Sequence, residues 1–335
     1  MIKRIFKLLF SLIITCNIFA QVRSSQFYSN PLLYNPASTG RFDKSSRLGL
    51  LFRSEISAQR KDFKQSILFF DSKIFSSKLP ENDCFAFGIV GMSESGISEG
   101  IKNSYLSLSL GYQKSLDEDG THQLGMGFQN TFVRKTVTQP DLTFESDLLL
   151  LSNYGYTNIN PFQIQNIDFS FNDINAGLIF QGAINSKTLY TLGIAVQHIT
   201  APKIMIIGGE FVLPRQIFSN ISFQKEFENN NKLYASLLVG ISDQKVNEFI
   251  SGLTYSKEFS KNKSILFGGW YRRNQVTGNS LIPNLGLSFK DFTINFSYDI
   301  KVSSVLRQSG SSEASLKYTF AKTRNQFLEK RFVLF

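Results

Sequence analysis

The last part of the chain contains the stretch FTINFSYDIK at positions 292–301, in which apolar and polar residues alternate. A second stretch, EASLKYTF at 313–320, alternates in the same way. A period of two is typical of β-strands, whose successive side chains point to opposite faces. One face of this predicted strand pair is apolar and aromatic. The other face carries the charged side chains Asp299, Lys301, Glu313 and Lys317. Because a dry core does not accept unpaired charges, the pair must separate an apolar phase from a wetter one.

Alternation alone fits two β architectures. In a soluble sandwich the apolar face is the inner one, whereas in a membrane barrel it meets lipid and the polar face lines the lumen. Strand-like runs recur from position 47 to position 320 and number about fourteen, an even number as in single-chain bacterial barrels. Compact predicted turns, such as 117–120 and 290–291, alternate with longer connections, such as 134–166 and 200–214. The sequence therefore favours an all-β fold, a single transmembrane antiparallel β-barrel of outer-membrane type with about 14 strands. A secreted sandwich stays open on pattern alone.

The N-terminus predicts export. Lys3, Arg4 and Lys7 precede an apolar run at 8–14, and a cleavage-like site follows at Ala20, as in a secretory signal peptide. No later apolar run is long enough for a transmembrane helix, so a membrane location requires a barrel. The predicted organisation is a signal peptide at 1–20, an irregular N-terminal segment at 21–46 that is a candidate lumen plug or docking segment, a barrel at 47–320 and a basic tail at 321–335.

The predicted mature chain offers little material for catalysis or metal binding. Cys84 is its only cysteine, so no intramolecular disulfide can form, and a lipidated Cys16 is the weaker alternative to signal cleavage after Ala20. Its only histidines are His122 and His198, and we expect His198 to end the lipid-facing row of the seventh strand. We therefore expect no enzyme activity, no metal and no cofactor.

The formal net charge of +10 does not indicate nucleic acid, because the basic residues are scattered over turns and strand ends. We expect these basic residues to lie in solvated loops and to contact anionic headgroups of the outer-membrane lipid. Two interpretations of the lumen charges stay open, an ion-pair network and separately solvated groups. The residues concerned are Arg53, Asp299, Lys301, Glu313 and Lys317.

Short motifs spread over positions 26 to 320 resemble the PorP/SprF family of outer-membrane proteins associated with the type IX secretion system. These motifs are Gln26-Phe27, Asn35-Pro36-Ala37 with Gly40, Arg53, the stretch 173–178, Leu192-Gly193, His198-Ile199, Leu213-Pro214-Arg215, Tyr298-Asp299-Ile300 and Glu313. The chain departs from the family pattern after Arg53, where a tryptophan-bearing turn is missing, and in the basic tail. The tail leaves open whether Phe320 or Phe335 serves as the barrel-assembly signal.

The resemblance implies an outer-membrane protein that binds and anchors, or helps deliver, a large secreted surface protein such as an adhesin. The partner would be held through its own C-terminal domain, and the secretion machinery is a second implied partner. A porin or a hydrophobic-solute channel is the alternative function. The family-motif residues, which are also candidates for partner or lumen contacts, are Gln26, Phe27, Asn35, Pro36, Gly40, Arg53, Tyr298, Asp299 and Glu313.

Overall fold

The computed structural model describes most of the chain after the predicted signal peptide. The described residues are 24–57, 63–75, 78–96, 101–137, 167–206, 209–242, 247–274, 278–303 and 308–320. The predicted signal peptide and the predicted basic tail lie outside them. The helices within these ranges are two three-residue 3-10 turns, and none is long and apolar enough to cross a membrane.

Fourteen of the strands in the described ranges close into a barrel, as the alternation predicts, and two form a separate hairpin. The strands are β1 (Ser46–Ser57), β2 (Phe63–Ile74), β3 (Cys84–Ser95), β4 (Ile101–Ser115), β5 (Gln123–Val137), β6 (Ile167–Asn185), β7 (Thr188–Gln197), β8 (Lys203–Ile206), β9 (Gly209–Val212), β10 (Gln216–Glu226), β11 (Lys232–Ser242), β12 (Asn247–Ser260), β13 (Lys263–Asn274), β14 (Gly278–Phe289), β15 (Phe292–Ser303) and β16 (Gln308–Phe320). The predicted antiparallel barrel of about 14 strands is confirmed.

The barrel closes between its first and last strands. β1 pairs antiparallel with β16, so that Leu50 lies opposite Leu316 and Arg53 opposite Glu313. β7 pairs directly with β10, and the β8–β9 hairpin stands in the connection between them. We call the end of the barrel at Ser46 and Phe320 the turn end, because its connections are compact, and the opposite end the loop end.

Several strands run further toward the loop end than the sequence predicts. β5 extends to Val137, into the connection predicted at 134–166. The connection predicted at 200–214 contains the β8–β9 hairpin. Strand pairing continues at these positions because an antiparallel ladder needs only backbone groups, whatever the polarity of the side chains.

The two faces of the barrel wall divide as the alternation predicts. On β15 the side chains of Phe292, Ile294 and Phe296 are exposed on the outer face, whereas Ser297 and Asp299 are buried on the lumen side. Near the turn end, aromatic rings stack on the outer face, as in the girdles of outer-membrane barrels.

The inward face is less uniformly polar than the sequence suggests. On β2, whose facing the sequence leaves ambiguous, Ile67 and Phe69 point inward and pack with Leu32, Leu51 and Val90. Apolar side chains can face this lumen because the N-terminal segment fills it and keeps water away. We call this segment, residues 24–43, the plug.

Candidate functional site

The plug is an irregular chain because proline and asparagine interrupt it. Two 3-10 turns, Pro31–Leu33 and Pro36–Ser38, each begin at a proline that follows an asparagine. Proline fixes its own φ and supplies no N–H, so the chain cannot continue as a regular strand. The Asn35 side chain caps the second turn by accepting a hydrogen bond of 2.9 Å from the Ala37 N–H. This local chemistry makes a compact body with most of its residues buried inside the barrel.

The beginning of the plug is bound to the carboxylate of Glu313 on β16. The backbone N–H groups of Ser25 and Gln26 donate to it at 2.7 and 2.9 Å, and the Ser24 hydroxyl donates at 2.9 Å. On its other side the carboxylate accepts from Arg53 Nη1 on β1 at 2.9 Å. A single fully buried carboxylate therefore joins the plug to both strands of the closing seam.

An ion-pair network surrounds this carboxylate. Arg53 also pairs with Glu55 at 3.0 Å, and Lys301 Nζ lies 3.9 Å from the carboxylate of Glu55. Arg272 on β13 pairs with Asp299 at 2.6 Å. The network holds three cations and three carboxylates, so its charges balance inside the lumen.

The plug takes part in this network through Ser25. The Ser25 hydroxyl accepts a hydrogen bond from Arg272 Nη1 at 2.6 Å and donates one to Asp299 Oδ2 at 2.8 Å. Of the charges proposed from the sequence, Lys317 lies elsewhere, nearer the turn end, with Arg47, Asp43 and Asp71 as its charged neighbours. The interpretation as an ion-pair network therefore fits four of the five proposed residues.

Glu55 and Arg272 belong to this network although the sequence analysis did not propose them. Arg272 follows Leu266, Gly268 and Trp270 at every second position of β13, all on the inward face. Strand alternation could therefore have identified its direction. Its partner could not be found in this way, because register between strands decides which charges meet.

One wall of the lumen, formed by β10–β14, is aromatic and aliphatic; we call it the aromatic wall. Phe27 meets Trp270 edge-on with ring centroids 5.6 Å apart, and Tyr28 stacks on the same indole at 5.0 Å. Tyr34 meets Phe218 edge-on at 5.8 Å. The plug therefore contacts this wall through burial of large apolar side chains.

The adjoining wall, formed by β4–β7, carries glycine and amide side chains; we call it the glycine–amide wall. A Cβ at Gly127 would lie 2.2 Å from the Ala37 nitrogen, and one at Gly177 would lie 2.0 Å from Asn35 Oδ1. The plug backbone can approach this wall only because those side chains are missing. Three glutamine amides donate to plug carbonyls. They are Gln113 to Ala37 at 2.8 Å, Gln129 to Leu32 at 3.3 Å and Gln197 to Leu33 at 2.6 Å.

The plug ends near the turn end, at Gly40 and Phe42. Gly40 adopts φ +78°, which favours glycine, and its N–H donates to Asp71 Oδ2 at 2.9 Å. Arg47 holds the same carboxylate at 2.8 and 2.9 Å. The exit of the plug is therefore linked to the first residues of β1 by one shared carboxylate.

Most of the residues proposed from the sequence meet inside the lumen. Gln26 donates to Ser297 Oγ at 2.9 Å and accepts from Ser315 Oγ at 2.7 Å. Tyr298 is the exception, because its side chain lies on the outer face with 42% of its surface exposed. The residues found within the lumen are Gln26, Phe27, Asn35, Pro36, Gly40, Arg53, Asp299 and Glu313.

The expected position of His198 is wrong. His198 is buried rather than lipid-facing, and its Nδ1 lies 2.8 Å from Asp173 Oδ2. Its φ of +58° turns the chain out of the strand, so alternation no longer sets the direction of the side chain. Within the ranges that the structure describes, no three His, Cys, Asp or Glu side chains are arranged to hold a metal ion.

Residues 19–318 match the family described as type IX secretion system membrane protein PorP/SprF. The chain belongs to the PorP/SprF family. The resemblance found in the sequence is thereby confirmed. No curated protein shows significant similarity to this PorP/SprF protein.

Solved structures show the same fold at low sequence identity. The monoaromatic hydrocarbon channel CymD is 12% identical, with a TM-score of 0.52, and the match covers 88% of this chain and 93% of that one. The toluene transporter TodX of Pseudomonas putida is 11% identical, with a TM-score of 0.52 and coverage of 91% and 99%. The fold and the family together place this PorP/SprF protein in the outer membrane as a membrane component of the type IX secretion system.

Proposed function

We propose that this protein binds and anchors, or helps deliver, a large type IX secretion substrate at the cell surface, and that it does so without catalysis. The observation that carries the proposal is the filled lumen. The plug contacts the aromatic wall, the glycine–amide wall and the closing seam at once. A barrel that holds its own chain this firmly suits a stable platform better than a passage.

The fixed charges of the lumen support the same conclusion. Arg53 and Glu313 are fully buried and paired, and Glu313 also accepts hydrogen bonds from two backbone N–H groups of the plug. Release of the plug would take three hydrogen bonds away from the buried Glu313 carboxylate, and a hydrogen bond to a charged group contributes about 1.5–3 kcal/mol, so spontaneous release should be rare. Hydrocarbon channels of the same fold are therefore a guide to the architecture only.

The loop end is the proposed contact surface for the substrate. Its described part includes the β8–β9 hairpin, in which Lys203 pairs with Glu210 at 2.6 Å and Val212 is exposed. The hydrogen bond and charge of Glu210 raise the pKa of Lys203, so the Lys203 ammonium stays charged at neutral pH. The connection predicted at 134–166 is the second proposed contact, and its residues 138–166 lie outside the described ranges.

A pull-down of the tagged protein from detergent-solubilised outer membranes, followed by mass spectrometry, tests the proposal. We expect a large surface protein to be recovered through its C-terminal domain. Replacing residues 203–212 by a short Gly-Ser linker should release that protein into the medium while the barrel still migrates as a folded, heat-modifiable species. Continued anchoring after this replacement and after deletion of 138–166 would contradict the proposed surface.

Single-channel recording in planar bilayers tests the alternative function. A plugged barrel should be silent, and a variant lacking residues 24–43 should conduct if it still folds. Steady current through the wild-type protein, together with recovery of the barrel alone in the pull-down, would favour the channel instead.

A further inference from the structure

The part of β6 nearest the loop end has one unpaired edge. β6 pairs with β5 along its length from Ile167, but its pairing with β7 begins only at Ala176. On that side the last backbone contact is the hydrogen bond of 3.0 Å from the Ile199 N–H to the Ile174 carbonyl. Among the residues that the structure describes, no strand pairs with this side of residues 167–173; we call it the β6 edge.

The edge is open because β7 ends early. His198 takes a left-handed conformation and turns the chain out of the ladder, and Asp173 and Asn175 fix it there. The hydrogen bond from the His198 N–H to Asn175 Oδ1 is 3.0 Å long. The β8–β9 hairpin follows this turn and β8 lies near β6, but the hairpin forms a ladder only with itself.

The backbone groups on the edge are those of alternate residues. In an antiparallel strand the N–H and C=O of one residue point to the same side, and residues two apart share that side. The Ile174 carbonyl points toward Ile199. Asp168, Ser170 and Asn172 therefore direct both of their backbone groups to the open edge.

The edge lies beyond the apolar band of the barrel. The outer face of β6 changes from exposed Leu178 to the polar side chains of Asn172, Ser170 and Asp168. Asp168 pairs there with Arg134 on the neighbouring strand. The edge is thus in water, where a polypeptide can reach it.

The inward side of the same segment is aromatic. Phe169 and Phe171 are half-buried and stack with their ring centroids 6.5 Å apart. Soluble proteins usually protect exposed edges with proline, a bulge or inward charges. The segment 167–173 contains no proline, its ladder with β5 has no register shift, and its inward charge, Asp173, is already paired with His198.

We propose that the β6 edge is a strand-addition site at which an extended segment of the exported substrate pairs with Asp168, Ser170 and Asn172. Backbone groups at strand spacing are complementary only to another extended polypeptide, which gains affinity from main-chain hydrogen bonds. Apolar side chains at alternate positions of that segment would cover Phe169 and Phe171. This inference rests on the proposed anchoring function and names the part of the loop end that makes the contact.

Substitution of Ser170 by proline tests the site. The Ser170 N–H points to the open edge, so Ser170→Pro removes a donor there and leaves the ladder with β5 intact. Proline is tolerated at such edge positions, and heat-modifiable migration checks that the barrel has folded. The control is Ser170→Ala, which removes the hydroxyl but keeps the N–H. We expect Ser170→Pro to lower the surface-retained fraction of the substrate about tenfold and Ser170→Ala to leave it unchanged.

A photo-crosslinking amino acid at position 170 gives a second measurement in living cells. The expected product joins the barrel to the same surface protein that the wild-type pull-down recovers. A crosslink to residues 138–166 of the same chain, or undiminished anchoring by folded Ser170→Pro, would overturn the strand-addition site and leave the anchoring function standing. A wild-type pull-down without any secreted protein would instead refute the anchoring function.

Discussion

The two walls of the lumen hold the same plug by different physical means. The aromatic wall presents Phe218 and Trp270, and burial of rings provides the contact. The glycine–amide wall presents Gly127 and Gly177 with amide side chains between them, and hydrogen bonds to the plug backbone provide the contact. One wall thus recognises side chains of the plug and the other recognises its backbone.

This difference shows how a barrel can have an apolar interior in one sector and a polar one in another. Ring burial is tolerant of position, because dispersion contacts change gradually with distance. Hydrogen bonds and close backbone contacts depend strictly on position, because a shift of less than 1 Å breaks the bond or creates a clash. We therefore expect the aromatic wall to supply more of the binding free energy and the glycine–amide wall to set the register of the plug.

The largest effect should come from the carboxylate that lies between the two walls. Glu313→Ala removes one of the two carboxylates that pair with the buried Arg53 and the acceptor of three plug hydrogen bonds, at a cost of about 3–5 kcal/mol. The chain has one tryptophan, Trp270, whose emission should shift to the red when the plug leaves. Guanidinium unfolding in detergent measures the free energy. Ser312→Ala is the control, and equal stability of the two variants would contradict the role of Glu313.

Removal of the central ring of the aromatic wall should have the next largest effect. Trp270→Ala removes the surface on which Phe27 and Tyr28 rest and should destabilise the seated plug by about 3 kcal/mol. Arg41, which donates to Gln181 at 2.6 Å, should then become a site for trypsin. If trypsin still does not cleave after Arg41 in this variant, the aromatic wall is not needed to hold the plug.

A methyl group on the glycine–amide wall should cost less. Gly127→Ala places a Cβ against plug backbone at 2.2 Å and should cost about 1–3 kcal/mol through overpacking. Gly269→Ala is the matched control, since a Cβ there meets nothing within 4 Å. Guanidinium unfolding should give a lower free energy of unfolding for Gly127→Ala than for Gly269→Ala. Equal values would contradict the close approach of the plug backbone to this wall.

Loss of one amide should have the smallest effect. Gln197→Ala removes the donor to the Leu33 carbonyl at 2.6 Å and to the Tyr34 carbonyl at 3.3 Å, and should cost about 0.5–1.5 kcal/mol, since the second contact is long and a typical hydrogen bond contributes that amount. Because register is the proposed role of this wall, crosslinks between cysteine pairs placed on plug and wall should become less specific in this variant. A loss as large as that of Trp270→Ala would reverse the proposed ranking of the two walls.

The sequence predicts the barrel well because strand alternation is a local property. It places Asp299 and Glu313 on the inward face, where they lie. It does not reveal that Arg53 pairs with Glu313, which follows from register across a seam 260 residues apart. It also misses the inward apolar residues Ile67 and Phe69, since the plug alone makes that part of the lumen dry. The sequence pattern does not predict the turn at His198, because the polarity of side chains carries no information on the backbone angle φ.

The bonds between Ser24, Ser25, Gln26 and Glu313 have a consequence for the order of folding. They join residues 287 to 289 positions apart, so almost the whole chain must be present before the first of them can form. Contacts between residues so far apart in sequence require the closure of a very long loop, which costs conformational entropy. Such contacts therefore form late. During synthesis and export the N-terminal segment therefore lacks its hydrogen bonds to Glu313 until the last strand is present. Its seating and the closing of the barrel should then appear as one kinetic event.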